Sequence, residues 1–199
     1  MTLYIVRHGK SVANTLNIVN GKQDDPLTTL GSIQIQRLKK KIEELEINPS
    51  LFYTTPWLRA QQSAKILWPN APWIVESRLG ETDAGDVATL TVNQFIEFFP
   101  NFHNSPINKY PNGESHIDLN IRVISWLEEL KEKLSESDEV VVVTHAGPIS
   151  CIWQYILCID MSNFPAFLQP NASLSSVKFS DLMSAEKKKN LTFNFLSFE

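Results

Sequence analysis

The sequence predicts an α/β fold: a three-layer α/β/α sandwich around a mainly parallel central sheet. Two observations predict it. Short apolar runs alternate along the chain with amphipathic helical stretches, as they do when strands are joined by crossover helices. The strongest of these runs, Val140-Val141-Val142-Val143, is unbroken rather than alternating, which marks a strand covered on both faces. No internal repeat and no linker divides the 199 residues, so residues 1–199 are taken as a single domain.

The elements follow in order. Leu3-Tyr4-Ile5-Val6 is a short buried strand that ends at Arg7-His8-Gly9. Residues 28–45 have helical spacing, with Ile35, Leu38, Ile42 and Leu45 on one face and Lys39, Lys40, Lys41, Glu43 and Glu44 largely opposite. A second strand over residues 50–55 is closed by Pro56, which can open the next helix, with Leu58, Ala60, Ala64, Ile66 and Leu67 along it. Trp73-Ile74-Val75 is a third strand. Residues 80–115 carry glycines, prolines, asparagines and aromatics; they are expected to form an insert of loops and short helices over one end of the sheet, above the active site. A long helix over 115–134 would place Ile117, Ile121, Ile124, Leu127 and Leu130 inward, with Ser115 suited to its N-cap. After the valine strand come Thr144-His145-Ala146-Gly147 and a helix from about Pro148. The tail alternates around Leu174–Phe179 and Leu191–Phe195, which suits two antiparallel strands joined by the polar loop 184–190.

Composition narrows the function classes. Hydrophobic residues make up 43% and charged residues 20%, as in a globular protein with a sizeable core. A formal charge of −4 argues against nucleic acid as a partner, so an anionic ligand would need a local basic cluster. No run reaches the roughly 18 apolar residues of a membrane span, and the start of the chain has no signal-peptide pattern, so a cytoplasmic location is expected. Cys151 and Cys158 read as two positions of one helix, about 10 Å apart along its axis, too far for a disulfide; reduced core thiols are expected. The glycosylation patterns at Asn171 and Asn190 read as chance matches. Oligomeric state is not readable.

The chemistry-bearing residues cluster by topology. His8 ends the first strand and His145 ends the valine strand; were those strands neighbours in a parallel sheet, both imidazoles would enter one crevice at its C-terminal edge. Arg7 adjoins His8, and Arg59 lies just inside the helix after the second strand. Two imidazoles and two guanidiniums beside helix N-termini suit a tetrahedral oxyanion. A metal site fits worse: the arginines would repel a cation, and no histidine or carboxylate cluster with ligand spacing is present.

On these motifs the chain resembles the histidine phosphatase superfamily, the phosphoglycerate mutase-like group (branch 1). Arg7-His8-Gly9 with Asn14 is similar to its N-terminal signature. Asp25-Pro26-Leu27-Thr28 with Gly31 and Gln34 resembles the next segment, and Thr54 to Ala60 with Gln62 and Ala64 resembles the second-arginine motif. Leu79-Gly80-Glu81 with Gly85-Asp86, Gly113-Glu114-Ser115 and Thr144-His145-Ala146-Gly147 follow in family order. In length and motifs the chain is similar to small α-ribazole phosphatase-like and broad-specificity phosphatases.

The resemblance implies the phosphoglycerate mutase-like fold and a cofactor-free, metal-free phosphatase for a small phosphomonoester. His8 would be the nucleophile that forms a phosphohistidine, and Glu81 the acid, ranked ahead of Asp83 and Asp86. Arg7, Arg59 and His145 complete the catalytic set, and Arg7, Asn14, Arg59, His145 and Ala146 make up the phosphate pocket. Gly9 would let the backbone pass close to the phosphate. Lys10 and Thr28 are further candidates for substrate contact. Lys10 stands where many relatives have Glu or Gln: it is either an exposed loop charge or a positive charge at the pocket mouth. Ala84, Val87 and Ala88 replace an aromatic pair and a glycine of the cobalamin-pathway phosphatases, so no substrate is inherited from them. Two other functions stand beside the phosphatase: a phosphoglycerate mutase, for which the segment from Glu81 to His145 is short, and a non-catalytic phospholigand-binding module. The aromatic residues of 95–110 would either wall the substrate site or simply pack together.

Overall fold

The computed structural model describes residues 1–179 and 194–196. Its strands are β1 (Thr2–Arg7), β2 (Leu51–Thr54), β3 (Ile74–Val75), β4 (Glu139–Thr144), β5 (Leu174–Lys178) and β6 (Asn194–Leu196). They form one sheet in the order β3-β2-β4-β1-β5-β6. The first four in that order are parallel, and β5 and β6 are added antiparallel at the β1 edge. The helices are α1 (Val12–Leu16), α2 (Thr29–Glu44), α3 (Leu58–Leu67), α4 (Val92–Phe98), α5 (His116–Lys133) and α6 (Ala146–Ile156).

The valine strand shows why the sandwich has three layers. Val140 and Val142 face one way, into a core with α5 and α6. Val141 and Val143 face the other way, into a core with α2 and α3. Side chains alternate across a strand, so only helices on both faces can bury four consecutive valines, each fully buried. The crossover after β1 lies on the α2–α3 side, and the helix after β4 lies on the α5–α6 side. The gap between β1 and β4 is therefore the switch point at which such sheets open a crevice.

The helix starts are chemically specified. Thr28 caps α2 by accepting from the Gly31 N–H, and Ser115 with Asp118 forms a reciprocal capping box on α5. On α5 the predicted inward face holds at Ile124, Leu127 and Leu130 but not at Ile121. Leu119, Val123, Trp126, Leu127 and Leu130 are buried, while Ile121 is 62% exposed. The helix carries two apolar stripes. The one bearing Trp126, which meets Tyr53 of β2 edge-on at 5.5 Å, takes the core, leaving Ile117 half-buried and Ile121 outward.

The cysteines are also corrected. Cys151 is buried, but Cys158 lies beyond the end of α6 with φ 56° and is exposed, so only one is a core thiol. The antiparallel pairing of the tail stands in β5 and β6; its loop 184–190 and Asn190 lie outside the described residues.

Residues 80–115 form short helices and turns, with a small core of their own: Val19, Ala84, Val87, Ala88, Phe95, Phe102 and Tyr110. Ala84, Val87 and Ala88 are therefore packing residues here, and the Phe95, Phe102 and Tyr110 rings pack on one another. The insert is fastened to the loop after α1 by Val19 N–H to Leu90 O and Asn20 Nδ2 to Thr82 O. No helix among the described residues is long and apolar enough to cross a membrane.

Leu127 is fully buried where α5 meets the sheet. Leu127→Ala should cost about 2–5 kcal/mol of stability, read as a lower urea midpoint with an unchanged slope.

Candidate active site

Residues Arg7 and Thr144 are opposite partners where β1 and β4 end, and the His8 N–H continues the ladder to the Thr144 carbonyl at 3.0 Å. That register places the next residues, His8 and His145, side by side with ring centroids 5.0 Å apart. Both are buried, as is Arg59 from the first turn of α3.

His8 is held in one tautomer. Its Nδ1 lies 2.7 Å from the Gly9 carbonyl, so Nδ1 carries the proton and donates it. Nε2 keeps its lone pair, which accepts from Arg59 Nε at 3.1 Å. The Gly9 N–H is tied to Ser63 Oγ of α3. A Cβ at Gly9 would lie 2.4 Å from the Gly31 carbonyl, so its bare backbone lets the start of α2 pack against the loop.

Arg59 is a buried cation with its donors assigned. Nη1 and Nη2 donate to the Lys22 and Asn20 carbonyls, Asp25 lies 3.6 Å away, and the guanidinium sits 4.4 Å from the Trp57 ring centroid. Carbonyls and a cation–π contact offset part of the desolvation cost. Burial still brings the Arg59 pKa down to about 10, against the pull of Glu81 and Asp25. Arg7 donates from Nη1 to the Gln169 carbonyl, and its buried Nε has no partner among the described residues. His145 engages Thr55 Oγ1 through Nε2 at 2.9 Å, and its buried Nδ1 is likewise unpartnered. Ala146 is the first residue of α6, where backbone N–H groups are free of intrahelical partners.

Glu81 arrives from the loop after Leu79. Its carboxylate accepts from its neighbour Thr82 N–H and from Gly147 N–H in the first turn of α6. Gly147 has to be glycine for this, because a Cβ would lie 2.2 Å from a Glu81 carboxylate oxygen. The sheet ends thus bring together Arg7, His8, Arg59, Glu81 and His145.

Asn14 and Thr28 stand one layer out. Asn14 completes the α1 capping box with Ser11, and Thr28 Oγ1 donates to the Lys10 carbonyl. Lys10 is held by its backbone, with its N–H on Gln34, and its ammonium enters no ion pair among the described residues.

Sequence reasoning missed several supports. Asn171 Nδ2 bridges the His8 carbonyl and Asn14 Oδ1, each at 3.1 Å, so the apparent glycosylation pattern marks an inward, structural amide. Gln169, buried between β1 and β5, donates to the Ile5 and Ser173 carbonyls. Neither carried a local signal, since both act from the far end of the chain. Thr55 lies within the second-arginine motif, but the motif does not show its part as the partner of His145.

A model of the histidine phosphatase superfamily (branch 1) matches residues 3–192. The chain belongs to that superfamily. Phosphoserine phosphatase 1 of Hydrogenobacter thermophilus is 26% identical over 98% of this chain and 95% of its own length. A 6-phosphofructo-2-kinase/fructose-2,6-bisphosphatase of Caenorhabditis elegans is 29% identical over 87% of this chain, which spans only 38% of that protein. The α-ribazole phosphatase of Shigella flexneri shares the fold, with a TM-score of 0.82 at 21% identity, covering 100% of this chain and 96% of that one. With phosphatases among its relatives, the chain is a phosphoric monoester hydrolase of the superfamily. The substrate is a separate question.

Burial first, then the charges of Arg59 and Arg7, hold the His8 pKa well below its usual 6.5, against the Gly9 hydrogen bond. Burial, then Arg59, His8 and Arg7, do the same to His145. The unfolded chain takes up protons at these imidazoles near 6.5 while the folded chain does not, so stability falls as pH drops through about 6.5. The urea midpoint at pH 5 should lie below that at pH 7.5, and His145→Gln should flatten the difference. Equal midpoints for the parent protein would mean that the imidazoles take up protons alike in the folded and unfolded chain, with no lowering of their pKa by burial.

Proposed function

We propose that the protein hydrolyses a small phosphomonoester through a phosphohistidine on His8. The observation that carries this reading is the pairing of the β1 and β4 ends. It sets two neutral imidazoles and two guanidiniums around one point, with the His8 Nε2 lone pair unprotonated and accepting from Arg59 Nε. Its neutrality matters, because only the unprotonated nitrogen can attack phosphorus.

The incoming phosphate oxygens take the donors of Arg7, Arg59 and His145, with the Ala146 N–H at the head of α6, while Asn14 braces the loop from one layer out. Arg59 Nε, which now donates to His8 Nε2, turns to a phosphate oxygen and frees the lone pair. Attack of Nε2 forms the N–P bond as the ester P–O bond breaks. Arg7, Arg59 and His145 stabilise the charge on the equatorial oxygens. Glu81 gives its proton to the leaving oxygen, then takes one from the water that cleaves the N–P bond, which releases phosphate and restores His8. Phosphatases and phosphoglycerate mutases both stand among the relatives, so the choice of water as acceptor rests on the short segment between Glu81 and His145.

His8→Ala should abolish hydrolysis of an aryl phosphate and leave the fold intact by circular dichroism. The parent enzyme, quenched during turnover of a ³²P-labelled substrate, should carry acid-labile, base-stable label. Rapid-quench samples without such label would point to direct hydrolysis. Incubation with 3-phosphoglycerate and trace 2,3-bisphosphoglycerate should release phosphate without forming 2-phosphoglycerate.

Lys10 adds positive charge at the pocket mouth and favours substrates with a second anionic group. Lys10→Gln should lower kcat/KM for bisphosphorylated relative to monophosphorylated substrates. An unchanged ranking across a metabolite panel would make Lys10 an ordinary loop charge.

A further inference from the structure

The segment that carries Glu81 has no regular secondary structure past Leu79, yet each of six consecutive carbonyls is held. Thr144 Oγ1 donates to Leu79 O at 2.6 Å, Asn20 Nδ2 to Thr82 O at 3.0 Å, and Glu114 N–H to Asp83 O at 2.9 Å. The other three belong to one side chain. Arg122 of α5 donates from Nη1 to Arg78 O and Gly80 O, and from Nη2 to Glu81 O, at 2.7–2.9 Å. Its two remaining N–H groups form a fork onto the Glu114 carboxylate, Nε to Oε1 and Nη2 to Oε2, both 2.8 Å. Glu114 Oε2 in turn accepts the Asp83 N–H. All five guanidinium donors are thus used, four of them within a residue or two of Glu81 or on its clamp partner.

We propose that Arg122, oriented by Glu114, is the positioning residue for the Glu81 acid. This rests on the role assigned to Glu81 above. Arg122 does not touch the phosphate; it fixes the backbone on either side of Glu81. With the loop fixed, the carboxylate meets the Gly147 N–H in the first turn of α6 at 3.2 Å. A lysine cannot replace it, since a single ammonium cannot span three carbonyls and a carboxylate in one plane. Proton donation is sensitive to such placement, and a displacement of about 1 Å can cost about 10²-fold in rate.

The consequence is specific to the leaving group. An alkoxide needs the proton of Glu81, whereas a 4-nitrophenolate leaves with little help. Arg122→Lys should therefore cut kcat/KM for an alkyl phosphate such as glycerol phosphate by about 10²-fold, while 4-nitrophenyl phosphate loses far less. Glu81→Gln should show the same split, and Glu81→Gln/Arg122→Lys should be no worse than Glu81→Gln alone. Glu114→Gln, which keeps the shape and removes the charge of the fork, should shift in the same direction and carries the test should Arg122→Lys fail to fold. Equal losses on both substrates, or full alkyl phosphatase activity in a folded Arg122→Lys or Glu114→Gln, would overturn the proposal and leave Glu81 untouched. A Glu81→Gln enzyme without any leaving-group split would overturn the acid assignment and the positioning role together.

Discussion

The hydrogen-bonded pairing of β1 with β4 is the constraint on which the rest depends. Its register makes Arg7 and Thr144 partners and extends one bond further, from the His8 N–H to the Thr144 carbonyl. A one-residue slip would turn each side chain of a strand to the opposite face. It would carry His8 away from His145 and bury the wrong valines. The fully buried strands, with helices on both sides, make that slip prohibitively costly, so the core specifies the site.

A second theme is the burial of charge. Arg59 is buried and Arg7 half-buried beside two histidines, a costly arrangement compensated by carbonyls of Asn20, Lys22 and Gln169, by Asp25 and by the Trp57 ring. Among the described residues, Arg7 Nε and His145 Nδ1 are buried without a hydrogen-bond partner. Such groups are expected where an anion completes the set. The same burial that keeps the imidazoles neutral also makes the fold sensitive to acid, so reactivity and acid lability share one cause.

Much of this was legible in the residues. The alternation of strands and helices, the unbroken valines and the histidines placed directly after two strands led to the layered fold and to His8, His145, Arg7 and Arg59. The α5 face was misread at Ile121 because the helix carries two apolar stripes, and spacing alone cannot rank them; the contact of Trp126 with Tyr53 does. Cys158 was misread because α6 ends two residues earlier, at Ile156, and its left-handed backbone turns it outward. Asn171 and Gln169 gave no sign, since the contacts that tie them to the site, to His8, Asn14 and Arg7, lie more than 150 residues away along the chain.

By itself, the sequence determined which residues could do chemistry and on which elements they would ride, because periodicity, caps and motif residues are local properties. Only the tertiary structure decided that β1 and β4 are neighbours in register, that His8 presents Nε2 rather than Nδ1, and that Arg122 reaches across to hold the loop of Glu81. Those depend on pairing and burial between distant segments, and the free energy of such contacts exists only once the sheet has brought them together.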